Sequence, residues 1–370
     1  MSREVGLYLH IPFCVRKCAY CDFPSFAGRE QDIPAYAERV KEEIAEKSKE
    51  DIVISTLYIG GGTPSHLPPE VMETLLRALR GAFSFREDAE CTCECNPGTV
   101  TRRFLDVLRH YGVNRISMGA QASQPRLLYM LGRIHTWEQV RESAALIREA
   151  GFDDLNLDLM LGLPGQTPDD VRETLAAALA LSPTHLSCYG LIVEDGTPLQ
   201  KQVESGAWPL PPEEDERAEY EYCRETLAAH GFEQYEISNF ALPGHACRHN
   251  LDCWRRREYI GIGSSACGFM GDIRYQNPPA LSDYLRGVPP EITRITPEDA
   301  RFESMMLGLR TMEGVREEEF LRMHGMTVGE AFGTKLQKPL REGLIRWQDG
   351  RVFLTREGMD LQNRVLVELL

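Results

Sequence analysis

The strongest constraint on the fold is a repeated alternation of short apolar segments and amphipathic segments along the first two thirds of the chain. The apolar segments predict strands at residues 5–10, 56–60, 90–96, 114–120, 154–159 and 185–191. Apolar residues at helical spacing predict intervening helices at residues 33–47, 69–82, 101–110, 138–150 and 168–181. Strands that alternate with helices form parallel βαβ units, so the pattern predicts an α/β fold with a barrel or part of one. In such folds the chemistry lies at the carboxyl ends of the strands.

The pattern changes after residue 240. Residues 241–295 are rich in Pro, Gly, Arg and aromatic residues, and we expect an irregular connecting segment there. From residue 296 a different order follows, with helices predicted at residues 298–312, 317–324 and 328–342, then a hairpin at 343–355 and a last helix. This order resembles a winged-helix module. The predicted domains are therefore a barrel at 1–240, a connecting segment at 241–295 and a helical, winged-helix-like domain at 296–370.

The overall charge limits the classes of partner. The chain has 41 Lys and Arg against 56 Asp and Glu, a formal net charge of −15. Non-specific nucleic-acid binding needs cations that replace phosphate counterions, so we expect no nucleic-acid partner. No apolar run reaches the roughly 18 residues that span a bilayer, and no signal peptide is recognisable, so a cytoplasmic location is expected. In such a compartment, clusters among the 11 cysteines favour metal or redox chemistry over disulfides.

A cysteine triplet with the spacing C-x3-C-x2-C follows the first predicted strand. Its members, Cys14, Cys18 and Cys21, are close enough in one loop to converge on a metal cluster. An iron–sulfur cluster usually takes four cysteines, so three would leave one iron with an open coordination position. The alternatives are a zinc site or a chance grouping, although zinc sites favour paired C-x2-C motifs and no suitably placed second pair is present.

Two further features lie on the predicted strands. The run Gly60-Gly61-Gly62 follows the second strand, where glycines let the backbone approach a ligand closely. On the third strand, Cys91, Cys93 and Cys95 share one face, and we expect them to pack under the outer helices as small hydrophobic residues. The opposite face of the third, fourth and fifth strands is polar and predicts a polar cavity, formed by Thr92, Glu94, Asn96, Arg115, Ser117, Gln121, Asn156 and Asp158.

Together, the cysteine triplet and the glycine run resemble the radical S-adenosylmethionine (SAM) superfamily. The resemblance implies a partial (β/α)6 barrel and a [4Fe–4S] cluster held by Cys14, Cys18 and Cys21. It implies that the open iron binds SAM through its amino and carboxylate groups. In that superfamily one electron from the reduced cluster cleaves SAM, which implies an electron donor such as a flavodoxin or ferredoxin.

A closer resemblance, over nearly the whole chain, is to the HemN/HemW group, and it is carried by segments at 8–14, 60–65, 94–97, 114–119, 131–135 and 156–160. Motif by motif, the resemblance implies a SAM site formed by Tyr8, Tyr20, Gly61, Gly62, Thr63, Glu94, Gln121, Arg133 and Asp158. The chemistry is suitable, because Glu94 or Asp158 can accept hydrogen bonds from ribose hydroxyls and Arg133 can pair with the SAM carboxylate.

This group contains oxygen-independent coproporphyrinogen III dehydrogenases and heme chaperones, and three features separate the branches. The dehydrogenase pattern continues to a fourth cysteine, where this chain has Phe23. Dehydrogenases also carry an extension before the first strand, whereas residues 1–4 alone precede it here. The chaperones carry an HNxxYW motif, and residues 249–254 are HNLDCW, with Cys253 in place of the tyrosine.

These features favour a heme chaperone, with the dehydrogenase as the alternative and an iron–sulfur protein with a DNA-binding C-terminal domain as a third reading. Within the motif, His249 is the candidate axial heme ligand, because imidazole suits iron. Trp254 is a candidate for stacking on the porphyrin, and the run of arginines at residues 255–257 is suited to propionates. A buried structural histidine and a solvated arginine face remain the alternatives.

The expected partners are heme or another tetrapyrrole, a heme-acceptor protein that the sequence does not identify, and the electron donor. Peripheral association with a membrane through the acceptors, and either a monomer or a dimer, are compatible with this reading. Whether SAM is cleaved or only bound, and hence whether the protein is an enzyme, stays open at this point.

Overall fold

The computed structural model describes residues 3–49 and 51–370. The first part of the chain alternates strands and helices as the apolar pattern predicts, and two short 3-10 helices lie at Glu30–Asp32 and Pro64–His66. Its elements are β1 (Arg3–Ile11), β2 (Phe13–Cys14), β3 (Phe26–Ala27), α1 (Ile33–Lys47), β4 (Ile52–Gly61), α2 (Pro69–Ala82), β5 (Ser84–Cys95), α3 (Arg102–His110), β6 (Arg115–Gln121), α4 (Pro125–Met130), α5 (Trp137–Glu149), β7 (Asp154–Leu161), α6 (Pro168–Leu179) and β8 (His185–Gly190).

The middle of the chain returns to the same sheet before the C-terminal unit begins. Its elements are α7 (Pro198–Glu204), α8 (Glu213–Ala229), β9 (Glu233–Gln234), β10 (Asn239–Ala241), α9 (Arg248–Trp254), β11 (Tyr259–Ile262), β12 (Cys267–Met270), β13 (Ile273–Gln276), α10 (Leu281–Leu285) and β14 (Glu291–Arg294). The C-terminal unit contains α11 (Pro297–Gly308), β15 (Val315–Arg316), α12 (Glu317–His324), α13 (Val328–Phe332), α14 (Gln337–Arg341), β16 (Ile345–Gln348), β17 (Arg351–Leu354), α15 (Arg356–Asp360) and α16 (Gln362–Leu369).

The large sheet has 12 strands in the order β14-β13-β12-β11-β1-β4-β5-β6-β7-β8-β10-β9. The six predicted strands, β1, β4, β5, β6, β7 and β8, are adjacent and parallel. The sheet is curved but not closed, so the predicted partial barrel is confirmed. One row of register partners crosses four strands and joins Tyr8, Tyr58, Thr92 and Arg115. Because paired residues share a face, this row fixes which side chains meet inside the barrel.

The expectation that residues 241–295 are irregular is wrong. Strand β11 pairs in parallel with β1, and β12, β13 and β14 extend the sheet as antiparallel neighbours. Each of these strands has 4 residues and turns or loops separate them, so alternation is too short to stand out in the sequence. The parallel partner of β11, strand β1, lies some 250 residues earlier in the chain, and only the tertiary fold brings it alongside.

The core forms where the outer face of the sheet meets the surrounding helices. Aliphatic side chains from β1, β4, β5 and β6 pack there against α1, α2 and α3. Cys91, Cys93 and Cys95 belong to this core, with exposures of 0%, 0% and 3%, which confirms that they face the helices. The opposite face of the same strands is thereby left free for the polar side chains.

The C-terminal unit has its own core and a three-stranded antiparallel sheet in the order β15-β17-β16. The predicted hairpin is present as β16 and β17, which turn at Asp349 and Gly350. The helix predicted at 328–342 is instead two helices, α13 and α14, separated at Gly333, a residue type that weakens helices. Within the described residues, every helix falls short of the length and apolar character that crossing a membrane requires.

Candidate functional site

A cavity of about 400 Å³ opens at the carboxyl ends of the parallel strands. We call it the mouth cavity. Every predicted cluster or SAM residue except Tyr8 lines it, namely Cys14, Cys18, Tyr20, Cys21, Gly61, Gly62, Thr63, Glu94, Gln121, Arg133 and Asp158. Residues that lie far apart in the sequence, on five strands and in three loops, therefore surround one space.

The cysteine triplet begins at Cys14, the last residue of β2, and continues into the loop before β3, on the wall of the mouth cavity. Thr63 Oγ1 donates to Cys14 Sγ and Arg133 Nη1 donates to Cys18 Sγ, each at 3.6 Å. Burial raises the pKa of the Cys14 thiol and raises that of Cys21 to about 11. The thiols must lose their protons to bind a metal, and the positive charge of the metal would have to offset this effect of burial.

The same loop distinguishes a cluster from a single ion. In the described part of the chain, no three His, Cys, Asp or Glu side chains are grouped closely enough to hold a single metal ion. The thiolates of a [4Fe–4S] cluster bind different irons, so their sulfur atoms need not meet at one point. Three thiols that open onto a shared cavity, with N–H and O–H donors to two of the sulfurs, fit such a cluster.

The glycine run follows β4 and holds the backbone tightly against the cysteine loop. Gly61 has φ +114°, and a Cβ atom there would lie 2.5 Å from the His10 ring. A Cβ atom on Gly62 would lie 2.8 Å from the Phe13 carbonyl oxygen and 3.0 Å from Cys14 Sγ. Both positions thus require glycine, and the backbone groups there are left close to the cavity.

Two carboxyl groups lie on the inner wall. Glu94 accepts hydrogen bonds from Tyr58 Oη at 2.9 Å and from the Gly61 N–H at 3.1 Å. Burial, reinforced by the nearby Asp158, raises the pKa of Glu94 to about 7. Asp158 accepts from Asn156 Nδ2 at 2.7 Å, and burial raises its pKa too. A carboxylate has about four lone-pair positions, so both groups can still accept hydrogen bonds from a ligand.

Arg133 is expected to pair with a ligand carboxylate, but part of its guanidinium already donates hydrogen bonds within the protein. Arg133 Nη2 donates to Asn96 Oδ1 at 2.8 Å and to the Gly119 carbonyl at 2.6 Å. Its Nε is buried and has no partner in the described residues. Gln121, also in the cavity wall, ends β6 with φ +68°. Burial raises the pKa of Tyr20, another lining residue. Arg133 therefore braces the loops with three of its five N–H donors and keeps the others available.

Tyr8 lies one layer behind the cavity wall. Its hydroxyl hydrogen-bonds His10 Nδ1 at 2.9 Å, and its ring stacks on that of Tyr58, with centroids 6.3 Å apart. Tyr58 was not among the predicted site residues, yet it lines the cavity. Alternation along β4 could have found it, because Tyr58 shares the face of Thr56 and Gly60.

His249 lies at the opposite end of the barrel from the cysteines. Helix α9 crosses the amino ends of the strands, where the Glu90 carboxylate accepts from the backbone N–H groups of Arg248 at 2.8 Å and His249 at 3.0 Å. The His249 ring meets Thr56 Oγ1 through Nδ1 at 2.9 Å and stacks on Tyr58, with centroids 5.3 Å apart. Burial lowers the pKa of His249 to about 4, so the imidazole is neutral at neutral pH. We call this end the floor.

The rest of the motif contacts the C-terminal unit. Arg255, Arg256 and Arg257 form ion pairs with Glu313, Glu303 and Glu319 respectively, so each arginine already has an acidic partner, while the Arg255 and Arg257 side chains stay 39% and 47% exposed. The Arg310 guanidinium covers Trp254, 4.7 Å from its ring. Beside α9, a floor cavity of about 380 Å³ is lined by Gly6 and Thr56 and by Arg86, Arg248, Arg255 and Arg257.

Comparisons with known proteins agree with this geometry. The radical SAM superfamily model matches residues 8–178 and the HemN C-terminal domain model matches residues 295–361. The chain is 37% identical over 375 residues to a protein of Lactococcus lactis named heme chaperone HemW, covering 100% of this chain and 98% of that protein. It is 36% identical over 369 residues to the Bacillus subtilis protein of the same name, covering 97% of each.

Among solved structures, coproporphyrinogen III oxidase (HemN) from Escherichia coli, a radical SAM enzyme, matches with a TM-score of 0.88. The match covers 100% of this chain and 90% of that one at 24% identity, so it shows a shared fold. Superfamily membership implies a [4Fe–4S] cluster and SAM, which the cysteine loop and the mouth cavity fit. The chain therefore belongs to the radical SAM superfamily, in the HemN/HemW group that its sequence motifs predict.

Proposed function

We propose that this protein is a heme chaperone, which binds heme together with a [4Fe–4S] cluster and SAM and delivers the heme to an acceptor protein. The observation that carries the proposal is the similarity, over the whole chain, to relatives named heme chaperone HemW. The acceptor is not identified. A flavodoxin or ferredoxin is the proposed electron donor, and a monomer or dimer in the cytoplasm, associated with membranes only through acceptors, is the proposed setting.

At the mouth, Cys14, Cys18 and Cys21 would hold the cluster, which supplies a one-electron reductant next to bound SAM. The glycine loop and Thr63 place backbone and hydroxyl groups beside the cysteines. Glu94 would accept hydrogen bonds from the ligand's ribose. The site would be completed by Asp158, Gln121, Tyr20 and the remaining donors of Arg133, with Tyr8 supporting it from behind.

At the floor, His249 would be the axial ligand of the heme iron. A neutral imidazole is the form that binds metals, and burial keeps this ring neutral at neutral pH. In the described residues its Nε2 makes no hydrogen bond, whereas Nδ1 meets Thr56. His249 is 6% exposed, so iron can reach its ring only if α9 shifts. The arginines of the floor cavity would then exchange their present acidic partners for the propionates.

A hemin titration tests the ligand assignment. We expect the wild-type protein to give a heme spectrum typical of an imidazole ligand, and His249→Ala to lose that spectrum and bind hemin more weakly. His230→Ala is the matched control, because His230 is exposed and lies on the end of α8. Unchanged hemin affinity and spectrum in His249→Ala would reject His249 as the ligand.

The alternative function, oxygen-independent coproporphyrinogen III dehydrogenase, is separated by an anaerobic turnover assay. Protein with a reconstituted cluster is mixed with SAM, a strong reductant and coproporphyrinogen III. Under the proposal no tetrapyrrole product forms. Protoporphyrinogen formed together with 5′-deoxyadenosine would instead establish the dehydrogenase. Salt-dependent binding to duplex DNA would support the third reading, in which the C-terminal unit binds DNA.

A further inference from the structure

One side chain separates the two ends of the barrel. Among the residues that the structure describes in contact with the His249 ring, Tyr58 alone also lines the mouth cavity. Thr56 and Gly6, which also lie against that ring, face the floor cavity instead. The distance from the predicted SAM site to the predicted heme ligand is thus bridged by a single tyrosine.

On the mouth side, Tyr58 is hydrogen-bonded to Glu94, whose carboxyl group lines the mouth cavity. Its Oη donates to Glu94 Oε1 at 2.9 Å, and Oε2 of the same carboxyl accepts from the Gly61 N–H at 3.1 Å. A tyrosine hydroxyl carries its proton at neutral pH, so Tyr58 is the donor in this hydrogen bond and Glu94 the acceptor. Whatever changes the position or charge of Glu94 therefore acts on the Tyr58 hydroxyl.

On the floor side, the Tyr58 ring forms one wall of the space that holds His249. The two rings lie at 27° to each other with centroids 5.3 Å apart, and Thr56 Oγ1 holds His249 Nδ1 at 2.9 Å. The Tyr58 backbone cannot shift easily, because β4 is paired on both sides, with β1 and with β5. A displacement of the Tyr58 hydroxyl therefore moves the Tyr58 ring, which packs against His249.

We propose that Tyr58 is a positioning residue that couples the mouth cavity to the floor, so that a ligand bound to Glu94 through ribose hydroxyls strengthens tetrapyrrole binding at His249. This inference rests on the proposed heme role of His249. Glu94 has about four acceptor positions, of which Tyr58 and Gly61 use two, so ligand hydroxyls can add without displacing the tyrosine. The added donors favour the ionised carboxylate, which strengthens its hydrogen bond from Tyr58 and fixes the ring on His249.

Coupling between two sites is reciprocal, which gives a strict test. Protein with a reconstituted cluster is titrated anaerobically with hemin, with and without saturating SAM, and then with SAM, with and without one equivalent of hemin. We expect SAM to lower the Kd for hemin at least about fivefold, and hemin to lower the Kd for SAM by the same factor. If either Kd of the wild-type protein changes by less than twofold when the other ligand is present, the proposal is overturned.

Tyr58→Phe isolates the hydroxyl, because it keeps the ring stacked on His249 and removes the hydrogen bond to Glu94. We expect this variant to bind both ligands while its coupling factor falls below about twofold. Tyr129→Phe is the matched control, since Tyr129 is 85% exposed on α4, and it should keep the wild-type factor. A Tyr58→Phe protein that retains the full factor would show that the coupling does not pass through this hydroxyl.

A second readout does not need heme. Histidine ring nitrogens are labelled with ¹⁵N, and the His249 resonance is assigned as the one lost in His249→Gln. We expect SAM to shift this resonance in the wild-type and Tyr129→Phe proteins but not in Tyr58→Phe. If the SAM-induced shift is seen but hemin does not bind, the proposed function is rejected and the coupling is kept. If hemin binds but SAM neither shifts the resonance nor changes the Kd for hemin, the coupling alone is rejected.

Discussion

The two ends of this barrel use similar residues for opposite purposes. At the mouth, polar side chains surround a cavity of about 400 Å³, and two carboxyl groups keep free acceptor positions. At the floor, the Glu90 carboxylate accepts two backbone N–H groups of α9 and the Cys247 thiol, which closes the end of the barrel. The mouth is therefore built to receive a ligand, whereas the floor must open to receive one.

Strand β5 shows this contrast within one element. Glu90 and Glu94 are four residues apart and lie on the same face, yet one stabilises a helix and the other faces a cavity. The local sequence does not distinguish them. What differs is the set of partners that the fold supplies. Glu90 accepts from two backbone N–H groups of α9, whereas Glu94 accepts from one, that of Gly61, and lies near the buried Asp158.

The largest expected effect tests the mouth as the cluster site. Cys18→Ala should lose nearly all cluster iron and sulfide after anaerobic reconstitution, because the remaining two thiolates cannot hold the cluster. Cys93→Ala is the control, since Cys93 lies in the apolar core, and it should keep the iron content while losing about 1 kcal/mol of stability. Wild-type iron content in Cys18→Ala would remove the mouth from consideration as the cluster site.

The next effect concerns pH. The pKa of Glu94 is raised in the folded protein to about 7 from an ordinary value of 4.5, so the folded state holds this proton more tightly than the unfolded state does. Stability should therefore fall as the pH rises from about 4.5 to about 7, by about 3 kcal/mol for this group. Urea unfolding at pH 5.5 and pH 8 measures the upper part of this fall, about 2 kcal/mol, and Glu94→Gln should show a smaller one. Equal falls in the two proteins would mean that Glu94 is ionised throughout.

Replacing the floor carboxylate Glu90 should destabilise the protein at pH 8, whereas replacing Glu94 at the mouth should not. Glu90→Gln should lower the free energy of unfolding at pH 8 by about 2 kcal/mol, because the amide cannot accept from both N–H groups at the start of α9. At the same pH, Glu94→Gln should leave stability unchanged or raise it, since it removes a buried charge. The comparison would break if the two variants lost the same amount in urea unfolding.

The smallest effect is expected at the rim of the mouth. Phe23 stands where the dehydrogenase pattern has a fourth cysteine, and it is 61% exposed. Phe23→Ala should change the free energy of unfolding by less than about 0.5 kcal/mol and leave cluster iron unchanged. Loss of iron in this variant would show that the phenylalanine shields the cluster and would extend the mouth site to its rim.

Much of this architecture is predictable from the sequence. The helix at Ile33–Lys47 and the faces of β5 follow from the 3.6- and 2-residue periods of apolar side chains, which are local properties. The mouth residues follow from motifs at the ends of strands, because parallel strands deliver their loops to one edge. Strand β11 could not be predicted because its parallel partner β1 is remote in sequence. Strands β12 to β14 pair with their neighbours in the chain, but each has only 4 residues, too few for a clear alternation.

The sequence by itself determined the family, the α/β alternation and the cysteine loop, because each depends on residue type and spacing within a short segment. The tertiary structure decided where the HNLDCW segment lies. It placed His249 on the floor behind Tyr58 and paired the neighbouring arginines with glutamates of the C-terminal unit. Those contacts join residues that are some 50 to 200 positions apart, and pairings at such separations are set by the packing of the whole fold rather than by any local pattern.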